Sequence, residues 1–440
     1  MNRIIKSIRK INYKLFISLL IMGVCPTIYT TIRVFFLGNL PGEWTFSIAG
    51  QLSWVNLLYE ILDESIILPL YFFMGKVINQ KREYENRIRT GLIISFCVYV
   101  VFSILICIFT RPLLSVMATN QNIINESVAY IRIESIANIF ILLSKFMLVC
   151  LITLGKSKYV YFITFARLIL TIIFDFFFIS TLKISANLGV NGIGYNNIIV
   201  NIVLFTISLM LLSKEDIYLF KKEKLSFLWA KDFIKIGGIS GFESFVRNLA
   251  YMLMISRMVN VVNEQGTYWV ANNFIWGWLL LPIIQLGELI KQEVSIDEKA
   301  VKNNTLGYLA ITLFVCALWF VTIPFWKSFM ANVLQFADVD KLFNLVMVLV
   351  GFYVLYAIQN VFDSEFYGLG KTNYMLFESI VTNLIYYGVA FILYLTGKWV
   401  PSLMGIALLF GIGNAFDSIV SAGAYCFLLK KKKINILKVD

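Results

Sequence analysis

Apolar runs of about twenty residues or more, separated by short polar breaks, fill this chain from end to end. Runs of that length read as membrane-crossing helices. A membrane strand would instead alternate in polarity over about ten residues. The pattern predicts twelve helices, over residues 15–38, 46–74, 89–110, 126–153, 158–182, 190–213, 232–262, 266–292, 304–328, 341–367, 373–397 and 402–429. Lipid offers the backbone no hydrogen-bond partners, so each run must satisfy its own amides and carbonyls as a helix. The expected class is an all-α polytopic membrane protein.

The polar breaks carry a charge code. About 27 lysines and arginines fall in the segments on the side of the N-terminus, and about five on the other side. That bias predicts both termini in the cytoplasm of a multi-pass protein of the cell membrane. The basic start, Met1 to Lys14, runs into an apolar stretch too long for a signal-peptide core, so the first helix is expected to direct insertion. The longest polar connection, residues 213–232, lies near the midpoint.

Short sequences recur across that midpoint. LGKSKY at 154–159 returns as LGKTNY at 369–374. GEWTFSIAGQLSW at 42–54 parallels EQGTYWVANNFIW at 264–276, with Thr45 against Thr267, Ala49 against Ala271 and Trp54 against Trp276. Gly192-Ile193 parallels Gly405-Ile406. Six helices per half is an even number, so the halves enter from the same side as parallel repeats. The expected organisation is an N-terminal six-helix lobe at 1–213, a cytoplasmic linker at 214–231 and a C-terminal six-helix lobe at 232–440.

Composition narrows the chemistry. The chain is 59% hydrophobic and 15% charged with mean hydropathy +0.79, which excludes a soluble globular protein. The net charge of +12 belongs to the cytoplasmic loops and implies no nucleic acid. The absence of histidine removes a histidine base, metal ligand or proton relay, so ion coupling must use carboxylates. The six cysteines lie within apolar runs and lack metal-ligand spacing, reading as small buried hydrophobes. No nucleophile–base set is visible, so neither an enzyme nor a cofactor is expected. The LGK sequences are not phosphate loops: the required earlier glycine is Cys150 in one copy and Glu365 in the other, so ATP is not expected. They read as tight turns, with glycine for the bend and lysine at the headgroups. GVNGIG at 189–194 follows no strand and is no dinucleotide fingerprint.

Ionisable groups in hydrocarbon cost about 2.5–3.5 kcal/mol on insertion scales, so each is a functional candidate. Asp175 stands among Ile172, Ile173, Phe174 and Phe176 to Phe178; the bland alternative is a structural ion pair. Glu60, Asp63 and Glu64 cluster on the second helix, with Glu60 and Glu64 one turn apart on one face. Two close carboxylates resist joint ionisation, as proton coupling would require. The alternative is pairing with Lys145, Arg167 or Arg247. Glu243 and Arg247 have the spacing of an intrahelical salt bridge. Asp363 and Glu365 lie on the tenth helix, and Glu378 and Asp417 are further coupling candidates. Glu288 and Lys291 read as a solvated face. Asn273 and Trp276, with Asn272, Trp278 and Gln285, are cavity-lining candidates; the alternatives are helix contacts and an interfacial aromatic belt. No metal ligands are singled out.

The proline-bearing first helix (Pro26), LGNLPGEWTFSIAG at 37–50, LGKSKY, IIFDFFFI at 172–179 and NLGVNGIG at 187–194 together resemble the multidrug and toxin extrusion (MATE) family in layout over nearly the whole chain. Its wider superfamily includes flippases for lipid-linked oligosaccharides. The resemblance implies antiport of amphipathic, often cationic, small molecules against protons or sodium by alternating access. It places Asp175 at the family's N-lobe aspartate, with Thr171 at the usual asparagine. The aspartate of helix one is missing: its stretch reads TTIRVFFLGNLP, with Arg33 as the only charge. An Arg33–Asp175 pair would weaken the case for a cation site there. Glu243, Asp363 and Glu365 are displaced from the family's C-lobe acids. The expected partners are a small amphipathic substrate and the bilayer, with a monomeric protein and Na+ or H+ as coupling ion. Arg33, Lys145, Arg167 and Arg247 keep the flippase reading open, since a lipid phosphate wants a basic cavity.

Overall fold

The computed structural model describes residues 2–219 and 224–436, with the side chains of Asn2 and Glu243 outside that description. Lys221, Lys222 and Lys438 of the charge code also lie outside it. The described residues are helical and contain no strand. An amphipathic α1 (Asn2–Lys10) precedes α2 (Tyr13–Gly38), which carries Pro26 internally. Next come α3 (Thr45–Gly50), α4 (Leu52–Leu62), a π turn at Asp63–Ile67 and α5 (Leu68–Gly75), which together fill the second predicted run. α6 (Lys81–Val116), α7 (Ile124–Thr153), α8 (Ser157–Phe178) and α9 (Asn191–Ser213) follow. α10 (Ala230–Tyr251), a π turn at Met252–Ser256 and α11 (Arg257–Val261) make the seventh run. α12 (Gln265–Phe274), a π turn at Ile275–Leu279 and α13 (Leu281–Ile296) make the eighth. α14 (Ala300–Asn332), α15 (Val339–Gly368), α16 (Thr372–Val381), a π turn at Thr382–Tyr387, α17 (Gly388–Leu395) and α18 (Leu403–Lys431) complete the chain.

Read through their local breaks, these elements follow the twelve expected runs; among the described residues nine helices, or ten with the bent α12–α13 pair, are long and apolar enough to cross a membrane. Three boundaries differ for physical reasons. The eighth run bends by 54° where Pro282 opens α13, because proline has no N–H to continue the ladder. α8 stops at Phe178, since Ala186 and Leu188 turn back and donate to the carbonyls of Phe177 and Phe178, both at 2.8 Å. α6 starts eight residues early, because its polar first turns pack against protein: Tyr84 donates to the Cys150 carbonyl at 3.0 Å.

By packing, the chain divides into two compact units, Met1–Thr31 with Thr267–Asp440, and Ile32–Gly266. In the second unit α7 is the core helix: Ile131, Leu142, Phe146, Met147 and Cys150 have no exposed surface, and α6, α8 and α9 pack around it. α10 joins this unit through Gly237 and Gly241, which lie against the backbone and side chain of Ser65. A Cβ at either glycine would overlap Ser65, the close approach that a small-xxx-small pattern permits. In the first unit α15 and α18 pair along their length, with α13 and α14 against α15. Large apolar side chains left exposed on α6, such as Ile104, Leu105, Ile108 and Phe109, have the character of a lipid-facing surface. All six cysteines are free. Cys25, Cys150 and Cys316 are buried as expected, whereas Cys97 and Cys426 are exposed.

The two LGK turns have one geometry. Gly155 and Gly370 take φ of 69° and 65°. In the first copy Lys156 N–H donates to Leu151 at 3.0 Å and Gly155 N–H to Ile152 at 2.9 Å. In the second, Lys371 donates to Phe366 at 2.8 Å and Gly370 to Tyr367 at 2.9 Å. This is the glycine-ended helix stop that satisfies the last carbonyls, so the glycines serve the bend. Lys156 pairs with Glu215 at 2.5 Å. Its hydrogen bond holds the Glu215 carboxyl below the ordinary carboxylate value. No atom stands within 4 Å of a Cβ placed on either glycine, so a substitution there meets only backbone strain. Gly155→Ala and Gly370→Ala are each expected to cost about 1–2 kcal/mol in unfolding free energy, measured by denaturant titration.

Candidate functional site

In the unit Ile32–Gly266, Arg33 near the end of α2 meets Asp175 of α8. The guanidinium donates through Nε to Oδ2 at 2.9 Å and through a terminal nitrogen to Oδ1 at 3.0 Å. Asp175 has no exposed surface, and Arg33 is also deep. Asn196 of α9 donates to the same carboxylate and to the Thr171 carbonyl, the latter at 2.8 Å. Asp175 is therefore bound on both oxygens by a planar two-pronged donor, the arrangement that best holds a buried charge. Beside it lies a second buried acid. Glu134 of α7 accepts from the Asn197 amide at 3.0 and 3.1 Å, within electrostatic range of Arg33. Sequence reasoning passed over Glu134, Asn196 and Asn197. The signal for Glu134 was the same as for Asp175, an acid within an apolar run.

The helix-two acids are brought together and paired. Asp63 accepts from Lys145 at 2.6 Å and from the Tyr99 hydroxyl at 2.5 Å. Arg247 of α10 bonds Glu64 and lies 3.5 Å from Glu60. Asp63 and Glu64 both lie in the π turn Asp63–Ile67, and as consecutive helical residues they point to different faces and so to different partners. Arg167 donates to Ser144 at 3.1 Å, and Ser144 donates to Asn201 at 2.6 Å. Glu243 lies on α10; its side chain, and so the expected bridge to Arg247, falls outside the described residues.

In the other unit, Asp363 of α15, Asp417 of α18 and Glu378 of α16 converge. Ser421 donates to Asp363 at 2.8 Å. The Gln359 amide donates to Asp417 at 2.7 Å and to Asp363 at 3.2 Å. Thr382, opening the π turn of the eleventh run, donates to Asp417 at 2.7 Å. Ser418 donates to the Gln359 carbonyl oxygen at 2.8 Å. Glu378 is buried close to Asp363 and Ser421, and its Oε1 has no hydrogen-bond partner among the described residues. Among those residues, no lysine or arginine pairs with any of the three. Nor do three such acids gather around one metal-ion position.

Glu365, two residues from Asp363, points to a different face. It is wholly buried and accepts from Thr305 at 2.6 Å and Tyr425 at 2.5 Å. Glu288 pairs with Lys291 at 2.6 Å, one turn away on α13. Asn273 donates to its own helix, to the Trp269 carbonyl at 2.9 Å. Trp276 is 41% exposed. Its indole donates to the Tyr353 hydroxyl at 3.2 Å and stands edge-on to Tyr353 and Tyr356, making an accessible aromatic patch.

This helical fold has counterparts among solved proteins. An inward-facing multidrug resistance MATE family transporter of the MOP superfamily superposes with TM-score 0.77 at 17% identity, over 95% of this chain and 98% of its own. An outward-facing conformation of such a transporter gives 0.70 at 18% identity, over 98% and 97%. A MOP superfamily transporter from Pyrococcus furiosus, described as having a binding pocket of reverse polarity that suggests a different function, gives 0.70 at 18% identity, over 100% and 99%. No curated protein matches the chain by sequence. The fold is thus the all-helical, polytopic one of these solved transporters. Residues 65–177 match the MatE family model, and the fold around them is similar to that of the solved MATE transporters.

Proposed function

We propose that this protein is a secondary antiporter of the cell membrane, with cytoplasmic termini, that exports amphipathic small molecules against an inward flow of protons or sodium. The observation that carries this reading is the trio Asp363, Asp417 and Glu378. It comprises three carboxylates on α15, α16 and α18 with hydroxyl and amide neighbours and no basic partner among the described residues. Intramembrane acids without a counter-ion favour uptake of a proton or a small cation. Hydroxyl and amide oxygens beside them suit either ion. Trp276, with the partly exposed Tyr356 edge-on beside it, provides an aromatic face for an apolar or cationic substrate, and the buried Tyr353 hydroxyl holds its indole. The superposing transporters have been solved both inward- and outward-facing, which supports alternating access as the working cycle.

Arg33, Lys145 and Arg247 each meet a carboxylate, which offsets the basic character that a lipid-phosphate flippase would want. The decisive experiment uses purified protein in liposomes with pH and sodium gradients imposed separately, following a fluorescent lipophilic cation. Accumulation driven by one gradient and absent without it is expected. Indifference to both gradients, together with transfer of a lipid-linked saccharide between leaflets, would replace the antiporter with the flippase.

A further inference from the structure

A second polar feature lies outside the transport chemistry. In the unit Ile32–Gly266, a cavity of about 460 Å3 opens where the start of α6 faces the chain that leads into α10. Lys81, Arg82 and Arg89 come from α6 and Lys224 from the linker. Among the described residues the cavity has one lining carboxylate, Glu83, and that already accepts from Arg87 at 2.9 Å. Lys81, Arg82 and Lys224 make no ion pair or hydrogen bond among the described residues. Arg89 is only 6% exposed and donates to the Glu85 carbonyl at 3.2 Å. Glu85, one turn before it, is the second acid of the segment.

The walls are built before any ligand arrives. Asn86 bonds Ser226 reciprocally, its amide donating to the Ser226 carbonyl and its oxygen accepting the Ser226 N–H, both at 2.9 Å. Trp229 donates to Thr90 at 2.9 Å. The cavity also includes the first turn of a 36-residue helix, whose Gln80 cap makes no side-chain hydrogen bond to the leading amides. The leading N–H groups of α6, its helix dipole and the cations Lys81, Arg82 and Lys224, unpaired among the described residues, suit a compact anion of high charge.

We propose that this cavity binds a phosphate group, carried by a lipid headgroup or by a soluble phosphate compound, and that the bound group fastens the linker to α6. The charge code puts both segments on the cytoplasmic side, where anionic headgroups lie within reach. The test uses the full-length protein. One arm titrates inorganic phosphate in detergent, and the other compares nanodiscs of phosphatidylcholine with nanodiscs that also contain phosphatidylglycerol. Thermal unfolding is the readout in both. Stabilisation by phosphate, by the anionic lipid or by both is expected. Lys81→Ala/Arg82→Ala/Lys224→Ala should weaken it by at least about tenfold in apparent affinity. Arg82→Ala alone, at an exposed unpaired position, should weaken it partially. A response to phosphate identifies a soluble ligand, and a response to lipid alone identifies a headgroup. No stabilisation in either arm overturns the proposal. So does an equal loss from Lys431→Ala/Lys433→Ala, basic residues remote from the cavity in sequence.

Discussion

Asp363→Asn is expected to abolish gradient-driven efflux while leaving a folded, membrane-inserted protein. The substitution keeps the size of the side chain and one acceptor for Ser421, but removes a charge that has no basic partner among the described residues. Relieving that burial should leave stability unchanged or slightly higher. Transport loses the group that would exchange its proton or cation between states. A fall of at least about tenfold in gradient-driven flux, ~1.4 kcal/mol or more, is expected in liposomes. Asp417→Asn should behave alike, since the Gln359 amide donates to both acids and ties them into one network. Flux that survives both substitutions would remove the trio from the mechanism.

Arg33→Ala has the opposite signature. It leaves Asp175 buried, with the Asn196 amide as its remaining side-chain donor. Breaking one half of a buried pair costs about 3–5 kcal/mol, so the variant should be among the least stable single substitutions in this chain. Arg33→Met combined with Asp175→Leu should recover most of that loss, because neither charge then remains to be solvated. Denaturant unfolding of both single variants and the double variant yields the coupling directly. Asp175→Asn separates positioning from coupling. Where its stability deficit is modest and efflux is still abolished, Asp175 belongs to the transport cycle; where efflux persists, the pair holds α2 to α8.

The reach of the sequence depended on the kind of signal. The helical runs were visible because lipid forces a long apolar stretch for each crossing. The LGK turns were visible because a left-handed backbone needs glycine. Partner choice was harder to see. Asp63 and Glu64 are neighbours in sequence, and their partners Lys145 and Arg247 come from two other helices that hydropathy does not bring together. Gln359, Thr382 and Ser421 are ordinary neutral residues, and only their positions on three helices give them meaning. The lysine of the first LGK turn reads locally as a headgroup anchor, yet its counter-ion, Glu215, comes from the far end of α9. Pro282 did announce the bend in the eighth run, and reading the run as continuous ignored it.

The contact of Gly237 and Gly241 with Ser65 offers a handle on the charged cluster that leaves every charge in place. Ser65 follows Glu64, and Arg247 lies six residues beyond Gly241 on the same helix. One added methyl group at position 241 acts as a wedge, prising α10 from the π turn and so lengthening the Arg247–Glu64 pair. Comparing Gly241→Ala with Glu64→Gln then separates what the geometry of that pair contributes from what its charge contributes.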